Sequence, residues 1–308
     1  MQTSKLSTYS RRGLSRVEII VIVAVVAVVV SLVVCAGAAG VFLPALAKAR
    51  ASARQIKCAT QTRNVVQAMT IFAQGNKDSY PIPSILDANN QTVATAGRAK
   101  DTSDNTLSIL IFTTMISPDL LVSPSETNSA ITTYRAYQNA MPKAAVNPAK
   151  ALWDPSFRCD FTTGQAHNSY AMLMANGDPA APATNAKAQG RLPVWSNTFN
   201  ATEAVFGNRG PLVSGLDASG NILFDTRSNT LPIHGGRTTW EGNIAYNDNH
   251  VDFETTMAPP TLVYRTAGGK KRDILFFDEP DDATGRNMIL GIWTKAGTLP
   301  GEFKGIHD

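Results

Sequence analysis

"RRGLSRVEII", residues 11–20, sets two arginines, a glycine and a lone glutamate in front of an unbroken apolar run. No charged residue occurs from Ile19 to Ala47. At 1.5 Å of rise per residue that stretch spans roughly 42 Å as a helix, more than the ~30 Å of a bilayer core. Glu18 stands at its mouth, where a carboxylate is costly: about 2.5–3.5 kcal/mol at a bilayer centre and less near the interface. Such a charge must reach the interface, favour the positive end of its helix, or meet a cation. Which of these applies decides how the rest of the chain is read.

The formal charge of +4 hides an asymmetry. Residues 1–63 hold nine Lys/Arg and one acid, whereas residues 64–308 hold 19 basic and 23 acidic residues. The pI near 9.0 therefore belongs to the N-terminal part. Its bases read as contacts to phospholipid headgroups, and no nucleic-acid partner is expected. Three cysteines are too few for a disulfide framework. Cys35 lies inside the apolar run, while Cys58 and Cys159 lie beyond it. A bridge between those two is a candidate if the body is exported, with free buried thiols as the alternative.

The run is Val- and Ile-rich at first and then rich in small residues, with Gly37, Gly40 and Pro44. These bend a helix in lipid without ending it. The next stretch, "ALAKARASARQIKCATQTRNVVQAMTIFAQ", is built of strong helix formers and has no Pro or Gly before Gly75. One helix over about residues 16–74 is predicted. Val65, Met69 and Phe72 recur at helical spacing, with Ile56 and Ala59 extending the stripe, which predicts a face buried beneath a sheet. "GNKDSYPIP" breaks the helix. Residues 76–235 are turn-rich, with apolar pieces at 107–116, 169–174 and 221–224 and an exposed loop at 177–190. The last third is strand-like at 242–253, 261–266, 273–279 and 288–295, and Asn-Asp-Asn at 247–249 marks a hairpin.

The N-terminus resembles that of type IV prepilins and type II secretion pseudopilins: a short basic leader, Gly13 before the cut, then Leu14 and, at the fifth mature position, Glu18. The resemblance implies that a prepilin peptidase cleaves after Gly13 and methylates the amine of Leu14, leaving the membrane helix attached. The new ammonium of one subunit can then meet Glu18 of a neighbour, so that two costly charges become a pair that specifies register. Arg16 stands where that family usually has an apolar residue.

The resemblance continues in "LPALAKARASARQIKC" (43–58) and "FAQGNKDSYP" (72–81), and in weaker form in "WDPSFRCD" (153–160) and "SYAM" (169–172). A C-terminal processing-associated motif of His, nine residues and Asp-Gly is matched by His234, Gly235 and Gly236, followed by Asp248 and His250. Here the spacing to Asp248 is longer by four and Asn249 replaces Gly. Its physical sense is a hairpin turn. A metal site from His234, Asp248, His250 and Asp252 is the alternative, since His250 and Asp252 share a strand face. Some pseudopilins bind calcium in a C-terminal loop, which makes Asp278, Asp281 and Asp282 calcium candidates, against a solvated acidic loop without EF-hand spacing.

The expected architecture is α+β and pilin-like. Residues 1–13 form a leader, 14–47 a transmembrane and filament-core helix, 48–75 its basic amphipathic continuation, and 76–308 a β-rich head outside the membrane. Expected partners are the peptidase, other pilin or pseudopilin subunits, and membrane lipid. The expected location is the bacterial cytoplasmic membrane, crossed once with the N-terminus cytoplasmic. No enzyme is expected: nucleophile-elbow, P-loop, dinucleotide and zincin motifs are all missing, and four His offer few general bases. A competing reading takes "SRRGLS" as a twin-arginine signal with "AGA" (36–38) as a cleavage site, or the run as a plain signal anchor. Either would export an enzyme or a carbohydrate-binding module; Trp153, Trp195, Trp240 and Trp293 could line a carbohydrate surface, but being widely separated they read rather as core residues.

Overall fold

In the computed structural model, which describes residues 15–178, 181 and 189–308, helix α1 runs unbroken from Arg16–Gln74 and continues through Pro44. The chain divides into two units, residues 1–53 and 54–308, so α1 contributes to both. In the first unit every large apolar side chain from Val17 to Val33 is 48–69% exposed. Arg16–Val33 is long and apolar enough to cross a membrane, with a mean hydropathy of 2.8. The side chains of residues 34–41, Cys35 among them, lie outside the described set.

The second unit is α+β. After α1 come two short helices, α2 (Pro83–Leu86) and α3 (Ser103–Phe112), then ten strands. They are β1 (Tyr170–Leu173), β2 (Ala204–Asn208), β3 (Val213–Leu216), β4 (Ile222–Phe224) and β5 (Gly242–Tyr246). There follow β6 (Val251–Glu254), β7 (Val263–Thr266), β8 (Gly269–Arg272), β9 (Leu290–Lys295) and β10 (Lys304–Ile306). Six of them form an open antiparallel sheet in the order β10-β9-β1-β2-β5-β6, while β3-β4 and β7-β8 are separate two-stranded ribbons. The sheet does not close into a barrel, and β6 is one of its edges.

The last turns of α1 are core. Cys58, Val65, Val66, Met69, Phe72 and Ala73 are buried in one cluster with Tyr170, Phe206, Trp195 and Ile244. The expected stripe of Val65, Met69 and Phe72 is buried, but its extension is corrected: Ile56 is 67% exposed and the face continues through Cys58, Gln61 and Thr62. Those residues are polar because they meet polar groups. Asn208 Nδ2 donates to Cys58 Sγ (3.3 Å), and Tyr170 Oη donates to Gln61 Oε1 (3.1 Å). Gln61 Nε2 in turn reaches the carbonyls of Asp119 (3.1 Å) and Val122 (3.3 Å). The bridge entertained between Cys58 and Cys159 is not made: both are free, buried thiols.

Termination of α1 is local and specific. Lys77 and Asp78 take positive φ (56° and 59°), and the Asp78 amide donates back to Ala73 O (3.0 Å). Tyr80 then stacks edge-on against Trp195 (5.4 Å), and its hydroxyl donates to Asn247 Oδ1 (2.6 Å) in the β5-β6 turn. All four tryptophans are core residues with satisfied indole N–H groups, bonded to Asn105, Pro81, Arg209 and Met172. None presents a ring to solvent, in line with the core reading of these residues.

One strand expectation is also corrected: 273–279 is an irregular buried segment. Its alternation looks strand-like, but Glu279 Oε1 accepts the Ile274 amide (2.8 Å) and Asp273 Oδ2 the Met288 amide (2.6 Å), so side chains occupy donors that a ladder would use.

Truncating Met69 to Ala is expected to cost about 2–5 kcal/mol of head stability, and truncating Ile56 less than about 0.5 kcal/mol. Equilibrium denaturation of the full chain in detergent checks the contrast. Equal losses would mean the buried face of α1 has been misassigned.

Candidate functional site

At the start of α1, Ser15 precedes the first helical residue and Glu18 sits three positions later. The Ser15 amide donates to Glu18 Oε2 (2.7 Å) and the Glu18 amide donates to Ser15 Oγ (3.3 Å). This reciprocal pair is a capping box, satisfying two otherwise orphaned amides and placing the carboxylate at the positive helix end. Sequence reasoning weighed Glu18 against the helix dipole but missed the Ser-x-x-Glu spacing that specifies it. Gly13 and Leu14 lie outside the described residues.

The C-terminal motif is a hairpin turn. Asn247, Asp248 and Asn249 join β5 to β6, with Asn249 in the left-handed region (φ 68°) and Asp248 Oδ1 accepting the His250 amide (3.1 Å). His250 stacks on Tyr246 (4.4 Å), its Nδ1 pairs with Asp248, and its Nε2 lies 3.6 Å from Asp252. His234 follows a 3-10 turn at Leu231–Ile233 and packs edge-on against Phe253 (5.9 Å). Strand alternation puts Phe253 on one face of β6 and Asp252 and Glu254 on the other, so His234 and His250 flank opposite faces. The metal alternative for this set is corrected accordingly. Burial and the nearby Arg54 push His234 down to about 4, and its Nε2 has no hydrogen-bond partner. It is a neutral, half-buried imidazole. Gly235 is required at its position, because a Cβ there would lie 2.2 Å from Thr239 O, whereas Gly236 donates its amide to Thr239 Oγ1 (3.3 Å).

The calcium candidates do not converge. Asp278 accepts from Arg191 Nη2 (2.9 Å); Asp281 accepts from Lys271 Nζ (2.6 Å) and Tyr264 Oη (2.8 Å). Asp282 caps the amides of Thr284 (2.8 Å) and Asn287 (3.0 Å). Each carboxylate is committed to its own donor, and among the described residues no group of three His, Cys, Asp or Glu has metal-binding geometry. Cys159 borders a cleft of about 320 Å³ with Asp104, Arg158 and Asp160. Burial and the Asp104 charge push its thiol well up, so it is no thiolate nucleophile.

What the sequence did not disclose is a buried charged cluster. Arg191 is wholly buried, donating from Nε to Asn287 O (2.5 Å) and from Nη1 to Asn176 Oδ1 (3.1 Å), besides its pair with Asp278. Asn287 also bonds Glu279, and Asp273 Oδ1 is buried without a hydrogen-bond partner. Burial raises Asp273 to about 7 and, with the Asp273 charge, Glu279 to about 8. Four ionisable groups scattered over residues 191–279 carry no common sequence signal.

No family model, no curated protein and no solved structure matches this chain.

Because Asp273 and Glu279 hold protons above their unfolded values, these two groups bind more protons in the folded state than in the unfolded chain as pH rises from about 4 to about 8. Their stabilisation is complete below the unfolded values and is lost as pH passes the folded ones. His234 and His307, both pushed down to about 4, act oppositely below their usual range. Between roughly pH 6.5 and 8 the carboxyls dominate, and stability should fall by about 1 kcal/mol per pH unit per proton. Melting temperatures across that window check this, and a flat or rising profile contradicts the assignment.

Proposed function

We propose that this chain is a pilin-like structural subunit, abundant or minor, of a type IV pilus or type II secretion pseudopilus. On this reading it is cleaved after Gly13 and held in the cytoplasmic membrane by the first half of α1, with its head outside. The observation that carries the reading is the double character of one helix. Its apolar residues from Val17 to Val33 are exposed, while its turns from Cys58 to Ala73 are core. An element apolar all round belongs in lipid or among other such helices. A filament subunit needs both surroundings in turn.

The Leu14 amine would supply the cation that Glu18 awaits. Ser15 engages Oε2 only, so the carboxylate is oriented without being exhausted. Removing residues 1–13 also discards Lys5, Arg11 and Arg12, bringing the formal charge to about +1.

Two measurements test this. The intact mass of the native chain should begin at a methylated Leu14; a start at Met1, or near residue 39 as an exported protein would have, overturns the reading. Glu18→Ala should insert normally yet fail to enter filaments or the complex. Ser15→Ala, which removes only the cap at a cost of about 1 kcal/mol, should still assemble. Assembly failing equally in both would reduce Glu18 to a helix cap.

A further inference from the structure

The β7-β8 ribbon concentrates charge that the core does not use. Its register pairs Arg265 with Lys270 and Val263 with Arg272. Tyr264 and Lys271 lie on the other face, where both bind Asp281 (2.8 and 2.6 Å) and Tyr264 is buried. The outer face therefore carries Arg265, Lys270 and Arg272, all exposed, none with an ion pair among the described residues. Like charges directly across a ladder are destabilising, yet the ribbon is held firmly, with the Ala283 amide bonded to Arg265 O (2.7 Å). A fixed, self-repelling cationic face is a surface built for an anionic partner.

The rest of the head narrows the choice of partner. Without the ribbon's four bases, residues 64–308 carry 15 basic and 23 acidic residues. A polyanion would be repelled by most of that body. A second copy of the chain would not, because it brings the complementary acids. On β6, an open edge of the main sheet, Asp252 and Glu254 share one face, two residues apart, and Asp248 stands at the adjoining turn. The Asp252 side chain is 61% exposed and lies 3.6 Å from His250, its one ion-pair contact among the described residues, and Glu254 accepts from the Tyr246 hydroxyl (2.8 Å). Lys270 and Arg272 on β8 have the same two-residue spacing, roughly 7 Å along an extended strand. Two cations and two carboxylates thus match in pitch on two regular strands.

We propose that the outer face of the β7-β8 ribbon of one copy docks on the Asp252–Glu254 face of β6 in a second copy. The two patches differ, so the contact is heterologous: each copy offers a free patch of either kind, and copies join head to tail. Exposed ion pairs are individually weak and screened by salt. The contact therefore orients heads that anchoring in one membrane has already concentrated, and to that extent it rests on the function proposed above.

The test uses the full chain reconstituted in nanodiscs, with self-association read by energy transfer between labelled copies. Lys270→Glu with Arg272→Glu should weaken association by about fivefold or more, as should Asp252→Lys with Glu254→Lys. Combining all four in one chain should restore it. Raising NaCl from roughly 50 to 500 mM should weaken the wild type and leave either charge-reversed pair little changed. Carbodiimide coupling of mixed light and heavy isotope copies should join Lys270 to Asp252 or Glu254 between chains. Unchanged association in the reversed pairs, or no rescue by the fourfold variant, overturns the contact. So does loss of binding to phosphatidylglycerol vesicles or an oligonucleotide with self-association intact, which would make the ribbon a polyanion site. A start at Met1 with successful rescue would keep the head contact and remove only the filament.

Discussion

The second unit is organised around the place where α1 lies on the central strands, and Cys58 is the pivot of that contact. Its sulfur touches Tyr170 on β1 (3.5 Å), Asn208 at the end of β2 (3.3 Å) and Ser123 (3.7 Å). Asn208 also accepts the Asn243 amide of β5 (2.8 Å), and Asn243 Nδ2 reaches back to the Gln55 carbonyl of α1 (3.4 Å). Three neighbouring strands and one helix are therefore linked through a chain of buried polar groups that are worth keeping only if all are satisfied. An apolar seam would hold the helix down with less regard to register. A polar one fixes both its rotation and its axial position, because a shift by one residue would strand Gln61 and Asn208 without partners at about 1–3 kcal/mol each.

That constraint explains the pattern of burial farther along α1. Once Cys58 and Gln61 are fixed, Val65, Met69 and Phe72 follow at helical spacing into the apolar interior. The helix stops where Tyr80 must reach Asn247, whose own amide donates to Val194 O (3.0 Å) and Glu203 Oε2 (2.8 Å). The β5-β6 turn is thereby tied to the end of α1. The hairpin motif and the break at "GNKDSYP" are one structural unit, although 166 residues separate Tyr80 from Tyr246 at the end of β5.

Legibility in the sequence followed the range of the forces involved. Helix α1 was readable to its ends because propensity, charge and the Gly75 break are local. β5, β6, β7 and β9 were readable because strand-like composition is local too, whereas β1, buried at every position, showed only as a short apolar piece. β2, wholly buried over "AVFGN", is too short and too glycine-interrupted for either signal. The 273–279 segment was misread because its carboxylates take up amides, Glu279 that of Ile274 within the segment and Asp273 that of Met288 beyond it, which alternation does not record. Ile56 was misplaced because periodicity counts apolar residues, and the buried face there is polar. At the candidate site the capping box was fully encoded at 15–18 and overlooked; the Arg191 cluster was encoded nowhere short of the fold.

Glu18 caps its own helix, and on the reading proposed above it also meets a neighbour's amine. A carboxylate that only capped a helix would need no long apolar helix behind it. A carboxylate that only awaited a partner would be costly before assembly. The capping box lowers that cost in the single chain by giving Glu18 an amide donor and the favourable end of the dipole. It also holds the carboxylate at the helix tip rather than along the flank. An amine arriving at Leu14, one residue before the capping serine, would add charge where the dipole is already positive, which increases the need for a carboxylate there. On the reading proposed above, the serine and the glutamate would serve one purpose, to keep a single negative charge tolerable in isolation and available for a neighbour's cation.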